Sequence, residues 1–186
     1  VRIVAGRFGG RKLVAPKGRA TRPTADKVRE ALFDLLGPLE GAAVADLFAG
    51  SGALGLEALS RGAASLVAVD LAAEAVRAVR ANLKTLGLET GEGEPPITVL
   101  RRDLGRGLGF LGPFGPFDLI LADPPYGRGW PERLLDRLPA GFLTPGGRLV
   151  LETSTQESLV SGPPWNLNQD RRYGQTRLLI LTREVT

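Results

Sequence analysis

From residue 43 onward, short apolar runs alternate with Ala/Leu-rich stretches, and this alternation restricts the possible folds more than any other property of the chain. Ala43–Leu47, Ser65–Asp70, Ile97–Arg101, Phe117–Ala122 and 147–153 are mostly apolar over strand length. Residues 54–60, 72–86 and 130–138 lie between them, and the second of these sets Ala75, Val76, Val79 and Leu83 at helical spacing. A strand that is apolar on both sides has to be covered on both. The pattern therefore predicts an α/β fold, a parallel sheet between two helical layers. The Gly/Pro-rich stretches 87–96 and 105–116 read as loops, and 166–173 and 175–182, parted by Gly174, read as a terminal antiparallel hairpin.

The first third of the chain is built differently. Residues 1–30 carry nine basic residues against Asp26 and Glu30, a local charge of +7, whereas the whole chain is only +4 and the remainder therefore −3. Stretches 1–5 and 11–15 alternate basic with apolar residues around the turn signal Gly9-Gly10, which predicts a basic hairpin arm. Thr24 is placed to cap a helix whose Val28, Ala31, Leu32, Leu35 and Leu36 share a face, and Gly37-Pro38 stops it. The division expected is an arm over 1–23 and a main domain over 24–186, within the size of one ordinary domain. Arg2, Arg7, Arg11, Lys12, Lys17 and Arg19 are the candidates for contact with a polyanion.

There is no Cys and no His among the 186 residues. Disulfides and thiolate nucleophiles are thereby excluded, and zinc sites and Ser-His-Asp chemistry lose their usual ligands and base. No metal is expected. Carboxylates, Tyr, Lys and backbone groups remain, which favours a reaction whose difficult step is carried by a cofactor. No apolar run is long enough to span a bilayer and the first residues lack the apolar segment of a signal peptide, so the expectation is a cytoplasmic monomer.

Two constellations carry chemistry. Gly50-Ser51-Gly52 and Gly55 form a GxGxxG array after the first strand, where glycine lets backbone N–H groups and a helix start approach a ligand. Asp70, 20 residues beyond Gly50, ends the second strand, where a carboxylate accepts ribose hydroxyls. Nicotinamide dinucleotide satisfies both features, but Asp46 just before the glycines would repel a pyrophosphate and attract an α-ammonium and a sulfonium. S-adenosyl-L-methionine is therefore the cofactor expected. Asp103, past the third strand, is a candidate for the adenine amino group, and Phe48 and Trp130 are candidate pocket walls or simple core.

The second constellation is Asp123-Pro124-Pro125-Tyr126, at the end of the fourth strand. An exocyclic amine on a planar ring has its lone pair delocalised and attacks poorly. Asp123 and the carbonyl of Pro124 can accept its hydrogens, the prolines stiffen that acceptor pair, and Tyr126 offers a face for a flat base.

Taken in order, Asp46 to Gly55, Asp70 and Asp123-Pro-Pro-Tyr126 resemble class I S-adenosylmethionine-dependent amino-methyltransferases. Arg2-Ile-Val-Ala-Gly-Arg7, Arg22-Pro-Thr-Ala-Asp-Lys-Val-Arg-Glu-Ala-Leu-Phe33 and Phe48-Ala-Gly-Ser-Gly-Ala-Leu-Gly-Leu-Glu-Ala-Leu-Ser-Arg61 narrow the resemblance to the bacterial small-subunit (16S) ribosomal RNA guanine-N2 methyltransferases, the RsmD family. The resemblance covers most of residues 1–155. It implies a Rossmann-like sheet of seven strands in the order 3-2-1-4-5-7-6 with strand seven antiparallel. It also implies that Arg22 and Thr24 line the methionine end of the cofactor pocket, and that the partner is ribosomal RNA, free or in an assembled small-subunit particle. The rival readings are a DNA base or a protein glutamine as methyl acceptor, an RNA-binding or assembly module with a vestigial cofactor site, and a nicotinamide-dependent dehydrogenase.

Overall fold

The computed structural model describes residues 1–16, 23–90, 96–158 and 162–184, and for 23–25 the backbone alone. Among these residues the strands are β1 (Ala43–Leu47), β2 (Ser65–Asp70), β3 (Ile97–Arg101), β4 (Phe117–Ala122), β5 (Leu143–Ser154), β6 (Trp165–Tyr173) and β7 (Thr176–Arg183). They form one sheet in the order β3-β2-β1-β4-β5-β7-β6. The pairs β2–β3, β1–β2, β1–β4 and β4–β5 are parallel, and β7 runs antiparallel to both neighbours. Order and direction are those the family resemblance implies.

The helices are α1 (Pro23–Leu36), α2 (Ala53–Ser60), α3 (Ala73–Thr85) and α4 (Trp130–Arg137). Because successive strand side chains point to opposite faces, β1 sends Val44 into one core and Ala45 and Leu47 into the other. The first core holds Val28, Leu32, Phe33 and Leu36 of α1 with Leu56 of α2 and Val79 and Leu83 of α3. The second holds Leu134 and Leu135 of α4, Leu111, and Trp165 of β6. Among the described residues no helix is long and apolar enough to cross a membrane.

Four local expectations are corrected. The helix begins at Pro23, so Thr24 lies in its first turn instead of capping it; proline suits the first helical position because its φ is preset and no N–H is required there. Strand β5 starts at Leu143, not at 147, and absorbs Pro145 and Gly146 through a register irregularity opposite Phe117–Leu119. The stretch 105–116 contains 3₁₀ turns at Leu104–Arg106 and Gly109–Phe114. Among its described residues the arm has no two-stranded ladder: a single bridge joins Arg2 to Lys12, and a 3₁₀ turn occupies Gly6–Phe8.

That turn exists because the arm packs on the main body. Ile3, Phe8 and Leu13 are buried in the first core. Gly6 sits at φ +77°, and a Cβ there would lie 1.9 Å from the Ser60 carbonyl oxygen, so only glycine allows the approach. Glu57 of α2, with no solvent exposure, accepts the amides of Val4 (2.6 Å) and Ala5 (3.0 Å) and the Arg61 Nε–H (2.9 Å), with Arg29 Nε 3.8 Å away. Asn82 of α3 exchanges bonds with Val14 at 2.7 and 2.9 Å.

Glu57→Ala would leave the amides of Val4 and Ala5 and the Arg61 guanidinium without their acceptor. The expected loss is about 3–5 kcal/mol of unfolding free energy in urea titration, with faster amide exchange at Val4 and Ala5.

Candidate active site

The chain runs outward from β1 through β2 to β3 and then returns to lay β4 on the other side of β1. Side chains at the carboxyl ends of β1 and β4 therefore flank the crevice where α/β sheets of this kind bind ligands. The register pairs Leu47 with Ala122. Asp46 and Phe48 on one strand end and Asp123 on the other open into one cavity of about 500 Å³, together with Ser51, Tyr126 and Glu152.

Asp46 is 1% exposed and accepts the Gly55 N–H at 2.9 Å. Burial lifts its pKa to about 7 against the lowering effect of that N–H, and the charges of Asp123 and Asp70 add to the rise. A Cβ on Gly55 would come within 2.7 Å of Leu66 and 3.0 Å of the Asp46 carboxylate, so glycine is what lets α2 seat against the sheet. Phe48 adopts φ 66°, a left-handed backbone uncommon for a side chain of its size. Its ring meets that of Trp130 edge-on at 4.9 Å, so Phe48 walls the cavity and Trp130 backs it.

The tetrapeptide is held from two sides. The Tyr126 hydroxyl donates to Glu152 Oε1 at 2.9 Å and lies 3.5 Å from Thr176 Oγ1, and Glu157 accepts the Gly127 N–H at 2.7 Å. Burial, with the nearby Glu152 charge, raises the pKa of the Tyr126 hydroxyl well beyond its ordinary value. Asp123 is half-buried, Pro124 buried and Pro125 exposed.

The glycine array works differently from the expectation. The Gly50 N–H donates to Asp70 at 2.9 Å and the Gly55 N–H to Asp46, so both amides are spent inside the protein and the glycines shape the turn instead of presenting donors. Gly52, at the helix start, packs on Val79 and Leu56. Asp70 also accepts the Ala72 N–H at 2.8 Å, which leaves lone pairs for hydroxyl groups because each carboxylate oxygen accepts twice. Asp103 caps a 3₁₀ turn by accepting the Gly105 N–H at 2.9 Å and borders a separate hollow with Arg101, Arg102 and Arg106.

Of the basic candidates, Arg7, Arg11 and Lys12 are exposed, Arg7 lying over the Phe8 ring at 5.0 Å, and Arg2 pairs with Asp26 at 3.5 Å. Lys17, Arg19 and Arg22 lie outside the described residues, as does the Thr24 side chain.

The cavity also contains residues the sequence reading missed. Arg29 is 5% exposed, lines the cavity and carries an Nε–H with no hydrogen-bond acceptor among the described residues. Its spacing from Leu32 and Phe33 was the available sign that it lies on the buried face of α1. Glu152 breaks an apolar strand near its end, as Asp46 does. The turn between β6 and β7, Tyr173 to Thr176, closes one wall.

Within the cavity, a buried carboxylate and a buried guanidinium with an unmet donor suit an amino acid that bears extra positive charge, and Asp70, at the end of the neighbouring strand and outside the cavity lining, keeps acceptor capacity for hydroxyl groups. S-adenosylmethionine fits that set; a pyrophosphate would face Asp46.

The raised pKa of Asp46 has a thermodynamic sign. Unfolded, the group ionises near 3.8. Between that value and about 7 the folded state holds the extra proton, so stability falls as pH rises through this window and levels off above it. Asp46→Asn should flatten this part of the stability profile, by up to about 3 kcal/mol between pH 5 and pH 8 (about two pKa units at about 1.4 kcal/mol each), in urea unfolding at the two pH values. The same variant should lose cofactor affinity, read by calorimetry.

The comparisons with known proteins agree with this geometry. A family model described as Conserved hypothetical protein 95 matches residues 1–182. Ribosomal RNA small subunit methyltransferase D of Escherichia coli K12 is 35% identical over 189 residues, spanning 100% of this chain and 91% of the relative. The protein of the same name from Haemophilus influenzae is 33% identical over 180 residues, spanning 94% of this chain and 89% of its own length. The solved structure of the Escherichia coli protein yhhF superposes with a TM-score of 0.82 at 33% identity, covering 100% of this chain and 99% of that one. With a family match along nearly the whole chain and relatives aligned end to end, this chain belongs to the Conserved hypothetical protein 95 family, that of the RsmD methyltransferases.

Proposed function

We propose that this protein methylates the exocyclic N2 amino group of a guanine in small-subunit ribosomal RNA, using S-adenosylmethionine. The observation that carries the reading is the convergence of Asp46, Asp123 and Tyr126 on one cavity at the β1–β4 crevice, in a chain whose relatives are named as small-subunit ribosomal RNA methyltransferases.

Asp46 offers its carboxylate to the positive charges of the cofactor, Arg29 its guanidinium to the cofactor carboxylate, and Asp70 its remaining lone pairs to the ribose. Arg22 and Thr24 join this end by family resemblance, and Asp103 serves the adenine side while capping its own turn. Ser51 and Phe48 line the wall between. When bound, S-adenosylmethionine supplies a methyl group on a positively charged sulfur. Asp123 and the Pro124 carbonyl accept the hydrogens of the guanine amine and turn its lone pair out of conjugation. The Tyr126 ring, 43% exposed and tethered through its hydroxyl, gives the splayed base a surface to stack on. Pro125 keeps the loop stiff. Asp123 is too weak a base to deprotonate a neutral amine; it stabilises the positive charge that grows on nitrogen. Arg2, Arg7, Arg11 and Lys12, with Lys17 and Arg19, bring the RNA backbone to the arm beside the cavity, which Val1, Ala15 and Pro16 border.

The direct experiment is incubation with labelled S-adenosylmethionine and unmodified ribosomal RNA, followed by nucleoside analysis. N2-methylguanosine is expected, and methylated adenine or no label would overturn the reading. Asp123→Ala should slow transfer at least about 100-fold and leave cofactor affinity within a few-fold of wild type, whereas Asp70→Ala should chiefly weaken cofactor binding. Replacing Arg7, Arg11 and Lys12 together with Gln should lower RNA affinity and reduce the slope of log K against log salt by roughly 2–3, the number of phosphate contacts removed.

A further inference from the structure

Strands β4 and β5 are parallel neighbours, and their last paired positions are Ala122 and Leu151. The next residue on each is a carboxylate, Asp123 and Glu152, and both line the cavity. In adjacent parallel strands, residues at matched positions point to the same side of the sheet. The two acids therefore sit side by side at the mouth of the crevice. The segment Leu149-Val-Leu-Glu-Thr153 of β5 is buried and uncharged apart from one charged side chain, Glu152, which falls where the strand reaches the site. The hydroxyl of Tyr126 donates to Glu152, whose surroundings also include Arg29 on α1, Asp46 on β1 and Thr176 on β7.

We infer that Glu152 is the proton-sharing partner of Asp123, and that the two carboxylates together take the proton the exocyclic amine sheds on methylation. This rests on the reaction proposed above. The balance requires such a step. Nitrogen makes its new bond to carbon with its lone pair, the carbon–sulfur electron pair stays on sulfur, and the nitrogen is left with one proton too many and a positive charge. One N–H bond then breaks toward the carboxylate pair, an O–H bond forms there, and the proton passes to water. A single carboxylate of ordinary acidity holds a proton poorly at neutral pH; two close carboxylates hold one well, because both cannot be ionised cheaply in a partly dry site. The surroundings agree with this. Burial, with the charge of Asp123, lifts Glu152 to about 7, against the Tyr126 hydrogen bond and the Arg29 charge, which favour its ionised form.

The test separates proton holding from mere support of Tyr126. Glu152→Gln keeps size and an acceptor oxygen for the Tyr126 hydroxyl but cannot take a proton. In single-turnover methylation of ribosomal RNA across pH 5.5–9, wild type should show a rate that rises with pH through about 7. Glu152→Gln should lose this limb and run about 100-fold slower above it. Tyr126→Phe should be slower but retain the limb, displaced to higher pH, since the bond favouring ionised Glu152 is gone. Equal losses in the two variants with the limb in place would mean that Glu152 only orients the ring, and would overturn the proposal.

Carboxyl ¹³C NMR of the ligand-free protein decides the pairing without RNA. A glutamate signal titrating near pH 7 should be present in wild type, absent in Glu152→Gln, and shifted to lower pH in Asp123→Asn. If no glutamate titrates above about pH 5, the pairing is wrong even if guanine is methylated. A wild-type protein that labels no guanine while this glutamate titrates as expected would instead sink the acceptor assignment on which the proposal rests.

Discussion

Everything at the cavity depends on two parallel registers, Leu47 with Ala122 and Ala122 with Leu151. They bring the carboxyl ends of β1, β4 and β5 level, so that Asp46, Asp123 and Glu152, which are far apart in the chain, share one space. A slip of one residue in either pairing would turn an acid into the opposite core and an apolar residue into the cavity, because side-chain direction alternates along a strand. The doubly covered sheet makes such a slip expensive. Val44, Leu119 and Val150 serve one core, and Ala45, Ile120 and Leu149 the other.

The same placement creates an electrostatic load. Three carboxylates line one cavity, one of them 1% exposed, against one described guanidinium, that of Arg29, which also pairs with Asp26 at 2.9 Å. Burial and mutual repulsion push Asp46 and Glu152 toward their neutral forms. A ligand with positive charge relieves that load, so the cavity favours cations over anions. The net positive charge lies elsewhere, on the first 30 residues, which carry +7 against −3 for the remainder.

Fixing the arm is a matter of polar chemistry as much as apolar burial. Glu57 and Ser60 on α2 and Asn82 on α3 satisfy arm amides that a free-standing hairpin would have to pair by itself. With those amides bonded to side chains, a long ladder is unnecessary, which is the physical reason the expected strand pair is reduced to one bridge. Asn82 also donates to the Ser51 carbonyl, so the arm and the glycine turn after β1 are joined through a single amide.

Hydrophobic period and turn residues were enough to read the strands Ala43–Leu47, Ser65–Asp70, Ile97–Arg101 and Phe117–Ala122, because each apolar run must be buried on both sides and has turn-forming residues at its ends. The acids at strand ends, Asp46, Asp70 and Asp123, were legible for the same reason: a charge that closes an apolar strand has to face either water or a site. What local pattern could not supply was partnership. The amides of Gly50 and Gly55 are consumed by Asp70 and Asp46 through contacts 20 and 9 residues apart, and Glu152 reaches Tyr126 across 26. Short-range periodicity and residue chemistry thus sufficed for the layers, for the first four strands and for the acids that close three of them. Which carboxylates share a cavity, which glycine donors are already spent and how the arm is held became visible in the folded molecule alone, because they depend on strand register and side-chain contacts between segments remote in the chain.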